Sequence, residues 1–153
     1  MLRFRPAEEA DLDAVIGLLW DDPQGRLRED PSDAARQRYV SAFEEIEQDP
    51  GSVLLVAVNG DRIVGCAQVS ILSGLSYQGI RRALIEDVRI AGAERGKGLG
   101  RELMAAACAH ARDAGCEMIE LFVHEERKDA HRFYESCGFE GRHRGYRKRL
   151  SDD

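Results

Sequence analysis

The chain has 153 residues, of which 43% are hydrophobic and 33% are charged, which suits one compact domain with a real core. Its longest apolar run, residues 53–58, is far shorter than the roughly 20 residues that cross a bilayer. The first five residues lack the apolar core of an export signal. We therefore predict a single domain over 1–153, a cytoplasmic location and no membrane partner.

The net charge of −6 is distributed unevenly along the chain. Residues 1–61 hold 14 acidic and 6 basic side chains, whereas residues 62–153 hold 14 acidic and 16 basic ones. An acidic first half argues against a nucleic-acid partner, because nucleic-acid binding needs a basic face. The acidity is compatible with a cationic partner, and an ordinary solvated helix surface is the alternative interpretation.

Cysteine and histidine spacing gives no sign of a disulfide framework or a metal site. Each cysteine lies within an apolar or helical stretch and none forms a CxxC pair, so we predict four reduced thiols. The four histidines lack ligand spacing such as HExxH, and no bound metal is expected. The cysteines are Cys66, Cys108, Cys116 and Cys137.

In the first half of the chain, the sequence predicts one strand, then two helices, and then a hairpin of two strands. Apolar residues at helical spacing favour a helix over residues 8–20, and Ser32 is a typical cap for a second helix. The dipeptide Asn59-Gly60 predicts a hairpin turn. The predicted elements are a strand at 2–5, helices at 8–20 and 32–48 separated by a turn and a polar segment at 21–31, and strands at 53–58 and 62–72.

The second half predicts a loop at 73–79, a strand at 83–90 and a crossover to a further strand. The remaining elements are a helix at 98–114, a strand at 117–123, a helix at 128–136 and a basic strand at 142–150. The order is therefore β-α-α-β-β-β-α-β-α-β. This order predicts an α/β (α+β) fold with a mixed, mostly antiparallel central sheet and helices on both faces.

A glycine-rich turn between the strand at 83–90 and the next helix is the most informative segment. Gly96, Gly98 and Gly100 stand at alternate positions just where the helix begins. Glycines let backbone amides approach an anion, and a helix N-terminus adds unpaired donors. With Arg95, Lys97 and Arg101 adding positive charge, the segment predicts a phosphate or pyrophosphate site.

The two familiar nucleotide motifs do not fit this turn. A Walker loop, GxxxxGK[ST], needs a Ser or Thr where this chain has Gly98. A GxGxxG dinucleotide fingerprint needs a third glycine where this chain has Arg101. A different phosphate-bearing ligand is therefore indicated.

Two segments together resemble the signatures of the GNAT superfamily of N-acetyltransferases. The hexapeptide Arg-Gly-Lys-Gly-Leu-Gly at 95–100 matches the R/Q-x-x-G-x-G/A acyl-CoA motif. Residues 130–139 match A-x-x-F-Y-x-x-x-G-F. The order of strands and helices from residue 2 to 150 also agrees with that family.

The resemblance implies acetyl-CoA as the cosubstrate. In that family the strand before the turn carries a bulge and splays from its neighbour, and the pantetheine arm pairs with the strand backbone in the gap. In this chain, the resemblance implies that the backbone of Val88 and Ile90, on either side of Arg89, binds pantetheine. The expected pyrophosphate ligands are the main chain and side chains of Arg95, Gly96, Lys97, Gly98, Leu99, Gly100 and Arg101.

The resemblance also implies catalytic roles for two residues. Tyr134 matches the family tyrosine that lies near the thioester sulfur, so it is expected to act as general acid. Glu86 is the candidate base, acting directly or through water, and burial among apolar neighbours is expected to raise its pKa. The adjacent Asp87 is an alternative base, and a pairing of Glu86 with Arg82 is the structural alternative.

One position departs from the family pattern. Many members have an asparagine that contacts the cofactor seven residues before the tyrosine, where this chain has Arg127. Arg127 either binds a cofactor phosphate or faces solvent. His131 lies three residues before Tyr134 on a short helix, and we interpret it as a packing or capping residue.

The implied reaction is direct attack, in a ternary complex, by the primary amine of a small cationic substrate. The family builds its acceptor pocket from the first two helices and their loop, a region that is acidic here. The alternatives are an acetyltransferase for a peptide N-terminus or lysine, and a non-catalytic acyl-CoA-binding module. Many members pair through their terminal strands, so a homodimer is also implied. The acidic residues are Asp21, Asp22, Glu29 and Asp30, and the candidate aromatic walls are Trp20 and Tyr77.

Overall fold

The structure, a computed structural model, describes residues 1–151 and forms two compact units that meet after residue 120 in the sequence. The predicted single domain ends at residue 153, so its last two residues lie outside the described part. The first unit contains β1 (Leu2–Pro6), α1 (Leu12–Trp20), α2 (Gly25–Arg28), α3 (Asp33–Gln48), β2 (Ser52–Asn59), β3 (Arg62–Ser73), α4 (Ser76–Gly79), β4 (Arg81–Ile90) and α5 (Leu99–Asp113). The last strand, β5 (Met118–Leu121), has its first three residues in the first unit and its last residue in the second. The second unit, from residue 121 onward, contains α6 (Lys128–Ser136).

The five strands form one mixed sheet in the order β1-β2-β3-β4-β5. The pairs β1–β2, β2–β3 and β3–β4 are antiparallel, and α5 connects β4 to β5. At the β2–β3 hairpin Asn59 pairs with Arg62, and Gly60 has the positive φ of +63° that such a turn requires. The predicted α/β class and the helix-connected strand order are confirmed.

The apolar run in β2 is buried because the sheet is covered on both faces. Val56 and Val58 pack with Val15 of α1 and Phe43 of α3. The intervening Ala57 packs with residues on the other face that include Leu99 of α5. Successive side chains of a strand point to opposite faces, so a strand covered on both sides needs continuous hydrophobicity.

Three segments have a local structure that differs from the one predicted from the sequence. The predicted helix at 8–20 begins with a 3-10 turn at Glu9–Asp11 before α1. The polar segment after residue 25 starts with the single turn of α2. The loop before β4 contains α4, in which Tyr77 and Gln78 have φ values of +52° and +62°.

The strand predicted at 142–150 is not formed. Residues 137–151 contain neither helix nor strand. Five of the nine predicted strand residues are basic, and the two large hydrophobic side chains, Tyr146 and Leu150, are 91% and 95% exposed. The prediction of a strand here is wrong, because the segment has no apolar face to bury.

The four cysteines are free. Cys66 is completely buried, and burial raises the pKa of its thiol to about 12. The other three cysteines are half-buried.

In residues 1–151, no helix has the length and hydrophobicity needed to span a membrane.

A charged pair fixes the entry to α1. Asp11 is buried and accepts hydrogen bonds from Arg5 Nη1 at 2.6 Å and Nη2 at 3.1 Å, and from Glu8 N at 2.8 Å. The hydrogen bonds from Arg5 lower the pKa of Asp11 below its ordinary value, although desolvation opposes this shift. Because β1 carries Arg5, the pair attaches the edge strand to the start of the first helix.

Asp11→Asn is expected to lower the free energy of unfolding by about 1–3 kcal/mol at pH 7, because it removes a charge-assisted pair that is largely buried. A depressed carboxyl pKa stabilises the fold above the unfolded pKa of about 3.9, and this contribution is lost as the pH falls through the folded value. The difference between variant and wild type should therefore shrink below about pH 4. Urea unfolding at pH 7 and pH 3 measures this difference in the free energy of unfolding.

Asp13→Asn is the matched control. Asp13 is also in the first turn and pairs with Arg36, but its side chain is 75% exposed. An exposed pair contributes at most about 1 kcal/mol. Equal destabilisation by Asp11→Asn at both pH values would contradict the assigned role of the Arg5 pair.

Candidate active site

A β-bulge lies in the C-terminal half of β4. Gln68 of β3 pairs with Glu86 and Cys66 pairs with Arg89, so β4 has two residues where β3 has one. The first of the two, Asp87, has a φ of +54°. The bulge implied for this strand is confirmed. Because Cys66 and Gln68 share a face, the bulge puts Glu86 and Arg89 on that same face although they are three residues apart.

The bulged half of β4 extends beyond β5. Glu117 N donates to Arg81 O at 2.9 Å, and Arg82 Nε donates to Glu120 at 2.7 Å. These contacts put the four residues of β5 beside the first half of the ten-residue β4. β4, with ten residues, is therefore longer than the four-residue β5 beside it and continues to Ile90.

The glycine-rich turn follows β4 directly and begins with a 3-10 turn at Gly92–Glu94. Gly96 has a φ of +78°, and Gly98, the residue that precedes α5, has a φ of +84°. A Cβ added at either position would meet no atom within 4 Å. The two glycines are therefore required for backbone conformation and leave open space above the turn.

The start of α5 is fixed to the sheet. Leu99 is buried with Ala57 and Val64, and Leu103 one turn later is completely inaccessible. The first amides of a helix have no partner within the helix, and the helix dipole makes this end positive. An exposed turn with two left-handed glycines beside an anchored helix N-terminus is suited to a phosphate group.

The basic side chains of the turn have different surroundings. Arg95 is exposed, yet its Nε donates to Ile90 O at 3.2 Å and its Nη2 to Asp21 O at 3.3 Å. Lys97 pairs with Glu94 at 3.4 Å in an exposed contact. Arg101 is exposed in the first turn of α5.

The side chain of Arg89 makes contacts that the sequence did not indicate. It is only 10% exposed, its Nη2 lies 3.8 Å from Asp22 Oδ2, and its Nη1 donates to Val88 O at 3.0 Å. Its Nε is buried and has no hydrogen-bond partner. The backbone on either side of Arg89 is half-buried at Val88 and Ile90.

The expected burial of Glu86 is wrong. Glu86 is exposed, as is Asp87. Strand alternation gives the buried positions of β4 to Ala83 and Ile85, which are 0% and 2% exposed, so Glu86 emerges on the opposite face. A carboxylate at this position is accessible to water.

The acidic side chains of the region predicted to bind the acceptor lie around α2, and each has a hydrogen-bond or ion-pair partner within the chain. Arg26 stacks on the ring of Trp20 at 4.8 Å, while Tyr77 is 72% exposed. Tyr39 donates to Glu29, and its burial raises the pKa of the phenol. The carboxylate partners are Arg26 for Asp21, Arg89 for Asp22, Arg28 for Glu29 and the Ser32 amide for Asp30.

The second unit carries Tyr134 on α6. Its half-buried ring packs edge-to-face against Phe133 and Phe139, with centroids 5.1 and 5.9 Å away. Arg127 is exposed and directly precedes α6. The His131 ring nitrogen Nε2 lies 3.0 Å from His124 O, which supports the packing interpretation of this histidine.

No group of three His, Cys, Asp or Glu side chains within the described chain is arranged to hold a metal ion.

Residues 12–139 match the model of the acetyltransferase (GNAT) family, and the chain belongs to that family. It is 38% identical over 147 residues to aminoalkylphosphonate N-acetyltransferase of Salmonella typhimurium, covering 96% of this chain and 90% of that protein. It is 30% identical over 148 residues to glucosamine 6-phosphate N-acetyltransferase of Trypanosoma brucei brucei, covering 95% and 94%. The crystal structure of a transcriptional regulator from Bacillus halodurans C-125 superposes with a TM-score of 0.94 at 41% identity, covering 98% and 100%.

The protein is thus an N-acetyltransferase that acts on amine substrates. Acetyltransferases of this family use acetyl-CoA. The resemblance inferred from the two sequence signatures is confirmed.

Proposed function

We propose that this enzyme transfers the acetyl group of acetyl-CoA to a small primary amine, which is cationic in solution, by direct attack in a ternary complex. The observation that carries the proposal is the pair of left-handed glycines, Gly96 and Gly98, at the anchored start of α5. Their position directly after a bulged strand supports a ligand that has both a pyrophosphate and an extended arm.

The turn at 95–101 is the proposed pyrophosphate site. Main-chain amides from Gly96 to Gly100 supply donors, and Lys97 and Arg101 supply charge. The exposed Arg127 at the start of α6 is a candidate for a further phosphate contact. Along the edge of β4, the backbone of Val88 and Ile90, on either side of Arg89, is proposed to pair with pantetheine, because this edge extends beyond β5.

The proposed reaction needs a neutral amine and a protonated leaving group. The amine nitrogen attacks the thioester carbonyl carbon, and the C–S bond breaks as the amide forms. The amine proton passes to Glu86, through water or directly, because its carboxylate is exposed on the face opposite Ile85. The thiolate receives the proton of the Tyr134 hydroxyl, because a phenol O–H is a hydrogen-bond and proton donor.

The acceptor class follows from the charges of the first unit. The carboxylates around α2 have partners within the chain, so a high positive charge on the acceptor is not required for recognition. Two relatives are named for amines that also carry a phosphonate or phosphate group. These observations support a small molecule with one reactive amine.

The experiment is a CoA-thiol release assay with 2-aminoethylphosphonate, glucosamine 6-phosphate, neamine, spermidine and a lysine-containing peptide. Turnover of at least one small amine is expected. Turnover of the peptide alone would assign a peptide acetyltransferase instead. Calorimetric CoA binding without turnover of any acceptor would assign a binding module.

Gly98→Ala is expected to weaken CoA binding by at least about tenfold, because a Cβ would occupy the space above the turn and strain a backbone at φ +84°. Gly60→Ala is the control. Gly60 has a φ of +63° and equally open surroundings, but it lies in the β2–β3 hairpin. Calorimetry with CoA should distinguish them, and equal affinities in both variants would remove the turn from the binding site.

Tyr134→Phe is expected to reduce kcat about 10²-fold or more, because the variant lacks the proton donor, while CoA affinity changes less than about twofold. The substitution keeps the aromatic packing with Phe133 and Phe139. Tyr146→Phe, at a 91% exposed position in the same unit, provides the control. Wild-type turnover in Tyr134→Phe would exclude the general-acid role.

Glu86→Gln is expected to reduce kcat about 10²-fold or more with little change in CoA affinity. Asp87→Asn distinguishes the two neighbouring carboxylates, since asparagine tolerates the positive φ of the bulge. Steady-state kinetics on both variants identify the base. A large loss in Asp87→Asn with normal turnover in Glu86→Gln would assign the role to Asp87.

A further inference from the structure

Two arginines next to the glycine-rich turn contact the loop between α1 and α2. This loop, residues 21–24, is joined to Arg89 of the bulged strand and to Arg95 of the turn. Both contacts lie within the first unit. We call the pair Arg89 and Arg95, with their partners in the loop, the arginine latch.

Arg95 connects three elements through one guanidinium group. Nε donates to Ile90 O at the end of β4, and Nη2 donates to Asp21 O in the loop. Both acceptors are backbone carbonyls, so the contact fixes the course of the chain rather than a flexible side chain. Lysine has a single nitrogen on a flexible stem and lacks the planar fork that reaches both acceptors.

Arg89 attaches the same loop from the strand side. Its Nη2 lies 3.8 Å from Asp22 Oδ2, which also accepts a hydrogen bond from Gly25 N at 3.2 Å. A Cβ at Gly25 would lie 1.9 Å from Leu19 O, so α2 packs tightly onto the end of α1. The loop has little room to move while both arginines are in place.

The turn also approaches the loop closely. A Cβ at Gly92 would lie 3.6 Å from Asp21 Oδ2. The Asp21 side chain therefore borders the space next to Gly92, while the Asp21 carbonyl accepts the hydrogen bond from Arg95.

We propose that Arg95 is a positioning residue for the acceptor, acting through the α1–α2 loop and not through the phosphates of CoA. This inference rests on the proposed function and on the acceptor pocket that the family resemblance implies, which is built from the first two helices and their loop. The motif arginine holds this loop at the end of the cofactor strand, so the acceptor site is ordered before either substrate binds. The main chain of the turn remains available for the pyrophosphate.

The first test measures hydrogen exchange of residues 20–28 in the substrate-free protein. Arg95→Ala is expected to increase amide exchange in this segment by at least about fivefold, because it removes two hydrogen bonds to the loop and strand. Arg95→Lys should restore only part of the protection. Arg62→Ala is the control, because Arg62 contacts Glu94 of the same turn but not the loop.

Hydrogen exchange measured with CoA present distinguishes a loop-positioning role of Arg95 from a phosphate-binding role. Protection of residues 20–28 in wild type should persist when CoA is added, because Arg95 keeps its carbonyl partners. Increased exchange on CoA addition would show that the arginine leaves the loop for the phosphates, and would overturn the proposal. Unchanged exchange in Arg95→Ala would also overturn it.

The second test uses the amine that gives the highest turnover in the acceptor panel. At saturating acetyl-CoA, Arg95→Ala should raise the KM for that amine about tenfold and leave the Kd for CoA within about twofold. A weakened CoA Kd with an unchanged amine KM would assign Arg95 to phosphate binding. If no amine is acetylated, the proposed function fails, while the exchange experiment still decides whether the latch exists.

Discussion

The bulge in β4 is the constraint on which the rest of the first unit depends. Two residues of β4 occupy the space of one residue of β3, and Asp87 adopts a left-handed conformation to allow it. In a regular strand Glu86 and Arg89 would point to opposite faces. Because of the bulge, a candidate base and a buried arginine share one face, and the arginine can reach the loop after α1.

The bulge has its effect because the elements around it are fixed. Leu99 and Leu103 anchor α5 to the sheet, so the glycine-rich turn spans a defined distance between the end of β4 and the helix. On the other face, Val15 and Phe43 hold α1 and α3 against β2. A rigid sheet with helices on both sides gives the turn and the loop little freedom to separate.

The carboxylates of the acidic first half have a different role from the one that the composition indicates. The acidic first half suggests a surface for a cation, but three carboxylates next to α2 pair with arginines of the chain. The arginine that pairs with Asp22 is Arg89, which lies on β4. Asp22 with Arg89 is the clearest case, because both side chains are about nine-tenths buried. These acids therefore contribute to the order of the loop between α1 and α2.

The sequence by itself determined the class of fold, the glycine-rich turn before α5 and the family, because each depends on local patterns. Helical spacing, the Asn59-Gly60 hairpin and the glycines before α5 act within a few residues. Only the tertiary structure decided that Glu86 is exposed, that Arg89 and Arg95 hold the α1–α2 loop, and that residues 142–150 form no strand. Burial, ion pairing and strand formation depend on what lies opposite a residue in space, and an isolated sequence does not specify that neighbour.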